Sequence, residues 1–323
     1  MSFKKSKFEP VVLFSHDITK ANHFLLENQF EIPKITDQII EALNDPMLRA
    51  VFITTPDNTH YAFALESLRS KKHVFLEKPI SLCHQEALIL LKEALNNNLI
   101  LLTDYHLRCV KPLAYIKDLI AAQYFGEIIQ INIDWHYKPD NISDWRNKEN
   151  AWWCSSMRGT HCLDLVLWFF GWNAIVEYKG ILDNSSYNKH DDSCIINLKL
   201  KNSIPININC SLSKDQPFTL EIISNTGNFH FNQLVGEGQF IHLPNQETIV
   251  FEYENPWGKT VKKFNDCIEN NRFPLEEIFS SIVNVYIFEN LFKAFFKKIQ
   301  NSIPQQGGVT SLDTLYAILH SSE

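Results

Sequence analysis

Short apolar runs alternate with stretches of helical period through the first third of the chain. Val11–Phe14 reads as a strand, and Ile18–Asn28 as a helix with Ala21, Phe24 and Leu25 on one face. Ile35 begins a short extended piece, and Asp37 suits the N-cap of a helix running to Leu43. Ala50–Thr54 is a β-branched, apolar strand. A helix over Thr59–Ser70 leads to a strand at His73–Leu76. Ser81–Asn96 carries Leu82, Ala87, Leu90, Leu91 and Ala94 at helical spacing, and Leu99–Leu102 is the next strand. Apolar strands separated by helices predict a parallel sheet covered on both faces.

Beyond Pro112 the pattern changes. Leu113–Phe125 is helical and Ile128–Trp135 is a long alternating strand. Asp144–Trp172 reads as a loop entering an apolar helix, Leu163–Phe170. From Ile175 onward, strands at Ile195–Leu200, Ile206–Cys210, Phe218–Ile223, Phe229–Phe231 and Thr248–Tyr253 are separated by Asn, Asp, Ser and Gly turns, which predicts an antiparallel sheet. Helices follow at Lys259–Asn270 and Glu276–Ile299, and the tail from Gln300 reads as a linker with a small terminal helix. The expected fold is α/β. A parallel-sheet domain covers 1–110. An α/β domain with a large, mainly antiparallel open sheet covers 111–299, and a tail covers 300–323.

Composition narrows the function classes. The chain has 323 residues with a net charge of −7 and no dense Lys/Arg run, which argues against a nucleic-acid partner. Leu165–Phe170 is among the longest apolar runs, well short of the roughly 18 residues a membrane span needs. The basic start, MSFKKSKFEP, is followed only by Val11–Phe14, too short for a signal-peptide core. Seven scattered cysteines therefore read as reduced thiols of a cytoplasmic protein. His106 with Cys109, and Cys154 with His161 and Cys162, lack CxxC or HExxH spacing, so no metal is expected.

Two motifs stand out: Thr54-Thr55-Pro56-Asp57-Asn58-Thr59-His60, and His73-Val74-Phe75-Leu76-Glu77-Lys78-Pro79. Further on come Gly126-Glu127-Ile128, Asp144-Trp145-Arg146, Gly159-Thr160-His161-Cys162-Leu163-Asp164-Leu165 and Asn255-Pro256-Trp257. In this order they resemble the Gfo/Idh/MocA oxidoreductases, NAD(P)-dependent enzymes acting mostly on sugars, cyclitols and their derivatives. The resemblance runs from about Val11 to Phe295. It implies a Rossmann domain followed by an α/β domain whose open sheet covers the substrate and mediates homo-oligomerisation.

Glu77-Lys78-Pro79 follows a buried strand and so lies at the carboxyl edge of the sheet, where open α/β sheets bind ligands. A lysine there holds a substrate hydroxyl by charge-assisted hydrogen bonding, and a cis Pro79 would fix its aim. The resemblance makes Lys78 catalytic, and makes His161 the group that takes the hydroxyl proton. Asp164 shares a helix face with His161 and is expected to orient it or to bind a substrate hydroxyl. Where relatives carry an Asp four residues before this histidine, Met157 stands here and cannot ionise. Trp152 and Trp153 either narrow the pocket or belong to the core. The resemblance places Thr55, Pro56, Asn58, His60 and Glu77 beside the cofactor, and Trp145 and Arg146 beside the substrate.

One expectation cuts the other way. The chain has ten glycines and none before Gly126. A Rossmann domain opens with a strand, a glycine turn and a helix, and the ribose-binding acid lies about 20 residues past the glycines. Here Val11–Phe14 matches the second strand of the resembled fold, with Ser15-His16-Asp17 at the ribose position. The Rossmann-type sheet is therefore expected to be incomplete. Either the chain is a truncated reading, or Val11–Phe14 and Ala50–Thr54 re-pair and dinucleotide binding is lost, leaving a non-catalytic relative that oligomerises or binds sugar. If a cofactor binds, Ser15-His16 suits the 2′-phosphate of NADP better than a ribose diol.

Overall fold

The computed structural model describes residues 7–138, 152–184, 190–233, 239–243, 245, 247–301 and 312–321. Five strands carry the N-terminal half: β1 Val12–Phe14, β2 Lys34–Thr36, β3 Ala50–Ile53, β4 His73–Glu77 and β5 Leu101–Asp104. All pair in parallel, β1 with β2, and β3 with β4 and β5 in the order β3-β4-β5. Helices Ile18–Glu27, Ile39–Leu43, His60–Arg69 and His84–Asn96 connect them.

Period-two alternation explains why Val74, Phe75 and Leu76 of β4 are all apolar. Val74 and Leu76 join Ala64, Leu68, Leu90 and Leu91 in the main core. Phe75 points the other way, with Ile100 and Leu102, into a second cluster closed by Val261 and Phe264. The helix Pro256–Glu269 thus returns from the far end of the chain to cover the second face of this sheet. Nothing in its local sequence separates it from its neighbours in 111–299.

The remaining strands form one eight-stranded sheet. They are β6 Ile128–His136, β7 Ile175–Asp183, β8 Ser193–Leu200, β9 Pro205–Ser211, β10 Gln216–Ser224, β11 Gly227–Gln233, β12 Gln239–His242 and β13 Thr248–Phe251. Their order is β13-β12-β11-β10-β6-β9-β8-β7, and only β6 and β9 pair in parallel. The helices Thr160–Phe170 and Leu275–Asn301 cross beside it, pinned where Asn284 Nδ2 donates to the Thr160 carbonyl at 2.7 Å. The chain is α/β, as its pattern predicts.

Several expectations shift. β1 and β3 share no ladder among the described residues, so Val11–Phe14 and Ala50–Thr54 do not re-pair. The cap of Ile39–Leu43 is Gln38 rather than Asp37, without a side-chain bond. The helix expected from Ser81 begins at His84, because Ser81 Oγ turns to the Cys83 carbonyl (2.6 Å) and the Glu289 carboxylate accepts the His84 backbone N–H (2.8 Å). A tertiary partner sets that boundary. β5 starts two residues late, and β7 and β12 complete the large sheet. Trp152 and Trp153 are core residues; Trp152 stacks on Phe292 with ring centroids 5.0 Å apart.

Gly159 sits where the two long helices meet. A Cβ there would lie 2.8 Å from Phe288 Cζ, a fully buried ring. Gly159→Ala is expected to destabilise the fold by about 1–3 kcal/mol through overpacking, read as a lower urea midpoint at unchanged m-value.

Candidate active site

The carboxyl ends of the parallel strands converge on one region, as ligand sites in open α/β sheets do. Thr55 and Pro56 follow β3, Glu77 ends β4, and Asp104 ends β5 beside it as its ladder partner. Lys78 leaves the end of β4 through a cis Lys78–Pro79 bond. Its ammonium donates to the Ser156 carbonyl at 2.6 Å, across 78 positions of sequence.

That carbonyl belongs to a wide, π-helical turn, Ser155–Gly159, which opens the Thr160–Phe170 helix. Buried Asp191 holds the turn in place, accepting the backbone N–H of Trp153 (2.7 Å) and of Ser155 (2.6 Å). Ser156 Oγ donates to the Asp57 carboxylate, tying the turn to the loop after β3. His161 lies two residues past the end of the turn and is 3% exposed. Its Nδ1 is buried without a hydrogen-bond partner.

His161 packs edge-on against His106, with centroids 4.6 Å apart, and Trp135 lies 5.9 Å away. The other face of His106 meets Trp257 at 4.7 Å, and Asn255 caps the helix that carries this indole. Burial first, and then the charges of Lys78 and its neighbours, push His161 well below the usual histidine range and His106 down to about 4. Both imidazoles are thus neutral at pH 7, and the same burial and positive charge make them weaker bases than a free imidazole.

Several other candidates have partners of their own. Both carboxylate oxygens of Asp164 accept from Arg108, at 2.8 and 2.6 Å, so Asp164 anchors that arginine. His60 is 1% exposed, with Nδ1 2.7 Å from the Pro79 carbonyl and Nε2 2.8 Å from the Thr55 carbonyl, so the ring sits between the two loops at the strand ends and donates to one of them. Ser15 hydrogen-bonds within its own turn, to the Asp17 carbonyl, and the Asp17 carboxylate caps the following helix at Lys20 N (2.8 Å). Asn58 lies exposed in the turn after β3. Trp145 and Arg146 lie outside the described residues.

His106 and Arg158 are absent from the sequence-derived set. Position at a strand end carried a signal for His106: it comes two residues after β5, on the same edge as Lys78. The cysteine and histidine groups weighed for metal do not assemble. One trio elsewhere, Cys83, His84 and Glu289, brings donor atoms within 4.8 Å, but Glu289 already pairs with His84 and Lys293.

The fold pairs a parallel α/β half, with Lys78 and His106 just past its strand ends, with a large open sheet beside the helix that carries His161. The chain belongs to the Gfo/Idh/MocA family. The profile of the oxidoreductase family's NAD-binding Rossmann fold matches residues 2–105, and that of its C-terminal domain matches residues 113–230. Glucose-6-phosphate 3-dehydrogenase of Bacillus subtilis is 23% identical over 297 residues, 83% of each chain. The scyllo-inositol 2-dehydrogenase (NADP(+)) of the same organism is 30% identical over 149 residues, 45% of this chain and 41% of that protein. An uncharacterised oxidoreductase of Synechocystis is 24% identical over 71% of this chain and 63% of its own length. The crystal structure of an aldose-aldose oxidoreductase from Caulobacter crescentus superposes with a TM-score of 0.82 at 14% identity, covering 96% of this chain and 94% of that one, a likeness of fold. No helix among the described residues is long and apolar enough to cross a membrane.

The Asp104 carboxyl is pushed up to about 7, by burial and then by Glu77, and its Oδ1 has no partner. A folded-state value above the unfolded one means the fold holds an extra proton between about pH 4 and 7. Its contribution to stability therefore falls as pH rises through that window and levels off above it. Asp104→Asn is expected to make the urea-derived stability less steeply dependent on pH between 4 and 7, and to raise it at pH 8.

Proposed function

We propose that the chain is an NAD(P)-dependent oxidoreductase acting on a hydroxyl or keto carbon of a sugar, cyclitol or related compound. The observation that carries this is Lys78 at the carboxyl edge of the parallel strands, donating to the Ser156 carbonyl in the turn that leads into the helix of His161. The dehydrogenases among its relatives support the substrate class.

The ends of β1 and β3 suit the ribose and nicotinamide portions of the cofactor. Ser15 would meet the ribose, while Thr55, Pro56, Asn58 and the backbone around Glu77 would line the nicotinamide end. Ser15-His16 at the end of β1 suits a 2′-phosphate better than a ribose diol, and one Asp17 oxygen is already engaged in capping a helix, which favours NADP. The bound cofactor supplies hydride exchange.

The protein's own residues handle the proton. The Lys78 ammonium binds the oxygen of the reacting carbon and favours its anionic character. His161 is neutral and takes the hydroxyl proton at Nε2, since Nδ1 is buried without a partner. Met157 offers no second acceptor, so the relay ends at the imidazole. His106 shields the pair from water together with Trp257.

Free thiols at all seven cysteines support a cytoplasmic location. Ile181 and Ile195 are ladder partners exposed on the outer face of the large sheet, which supports a homo-oligomer through that face. The second reading, a fold kept without turnover, is favoured by the break between β1 and β3.

Fluorescence titration with NADPH and NADH is expected to show saturable binding, NADPH the tighter; no binding of either selects the second reading. Lys78→Ala is expected to lower kcat/KM by about a hundredfold or more at unchanged thermal stability. Unchanged turnover would remove Lys78 from the reaction.

A further inference from the structure

The protein contains two buried or half-buried guanidinium groups near the pocket, and it treats them differently. Arg108 is met by a bidentate carboxylate, Asp164, with Glu277 at 4.0 Å. Arg158, in the wide turn just before His161, has no ion pair among the described residues, and its Nε is buried without a hydrogen-bond partner. Its charge faces the neutral thiols of Cys154, Cys162 and Cys210 and the Tyr137 hydroxyl instead of an acid. Taking a cation out of water without a counter-ion is costly, and a structure tolerates it where a ligand completes the pair.

The surroundings hold this guanidinium in one orientation. It lies over the Trp135 ring at 4.3 Å and over the Tyr137 ring at 4.8 Å, a double cation–π contact that fixes its plane while Nε stays unspent. Trp135 also borders His161, at 5.9 Å, so the guanidinium sits one indole away from the imidazole. Lys78 adds a second positive charge to the same space. A planar fork with free donors matches a carboxylate or phosphate in bidentate fashion.

We propose that Arg158 anchors an anionic substituent of the substrate, so that the pocket takes a phosphorylated or acidic sugar in preference to a neutral one. This rests on the reading of the His161 pocket as the sugar site, but its test needs neither cofactor nor turnover.

The intrinsic tryptophan fluorescence of the full chain, which includes Trp135, is titrated with glucose 6-phosphate, glucuronate and glucose, and each saturated sample is then challenged with inorganic phosphate. At least one of the two anionic sugars is expected to bind about tenfold or more tightly than glucose and to be displaced by phosphate; which of them does so identifies the anion. Arg158→Met is expected to lose that preference while its near-ultraviolet circular dichroism matches the parent. Arg158→Lys, which keeps the charge and loses the fork, is expected to bind with intermediate affinity and serves as the test should the methionine variant unfold. Glucose binding as tightly as both anionic sugars, or arginine variants with undiminished preference, would overturn the proposal. A sugar-binding preference that survives in a chain that binds no NADPH would refute the oxidoreductase reading and leave this one standing.

Discussion

The hydrogen bond from Lys78 to the Ser156 carbonyl is the contact on which the pocket depends. It joins the end of a parallel strand to a turn on the other sheet, and neither segment makes a site alone. Its two ends are braced independently. On one side, His60 ties the Thr55 and Pro79 carbonyls together behind the lysine. On the other, Asp191 gathers the backbone N–H groups of Trp153 and Ser155, and Ser156 reaches back to Asp57. Buried polar groups that are fully paired in this way make a rigid frame, because each unpaired alternative would leave a donor or acceptor stranded.

Electrostatics follow from that frame. Lys78 and Arg158 bring positive charge to the neighbourhood of the two imidazoles, while the acids of the region are engaged elsewhere or pushed toward their neutral form. Asp164 is spent on Arg108, and burial raises Glu77 and Asp104. The histidines answer by staying neutral. A pocket that is cationic yet contains unprotonated imidazoles suits a reaction in which an oxygen gains negative character and gives up a proton.

Much of this was legible in the chain. The uniformly apolar runs at Val74–Leu76 and Leu101–Leu102 identify strands buried on both faces, and the alternation at Ile128–His136 identifies the start of the open sheet. Lys78 and His161 could be picked out because their flanking motifs are local. The protein partners of Asp164 and His60 were not legible, for a common reason. Each looks like a site residue by spacing, but its partners, Arg108 and the Thr55 and Pro79 carbonyls, are set by the fold. The start of the His84–Asn96 helix was misplaced likewise, since Glu289 completes it from 205 positions away.

The sequence by itself determined the order of elements and the parallel and antiparallel character of the two halves. These are properties of short windows, where period and turn chemistry act directly on the backbone. Tertiary structure alone decided that the helix Pro256–Glu269 closes the first sheet, that His106 joins His161, and that Arg108 pairs with an acid while Arg158 has none among the described residues. Pairing between distant segments depends on which faces must be buried together, and no window of local sequence contains that requirement.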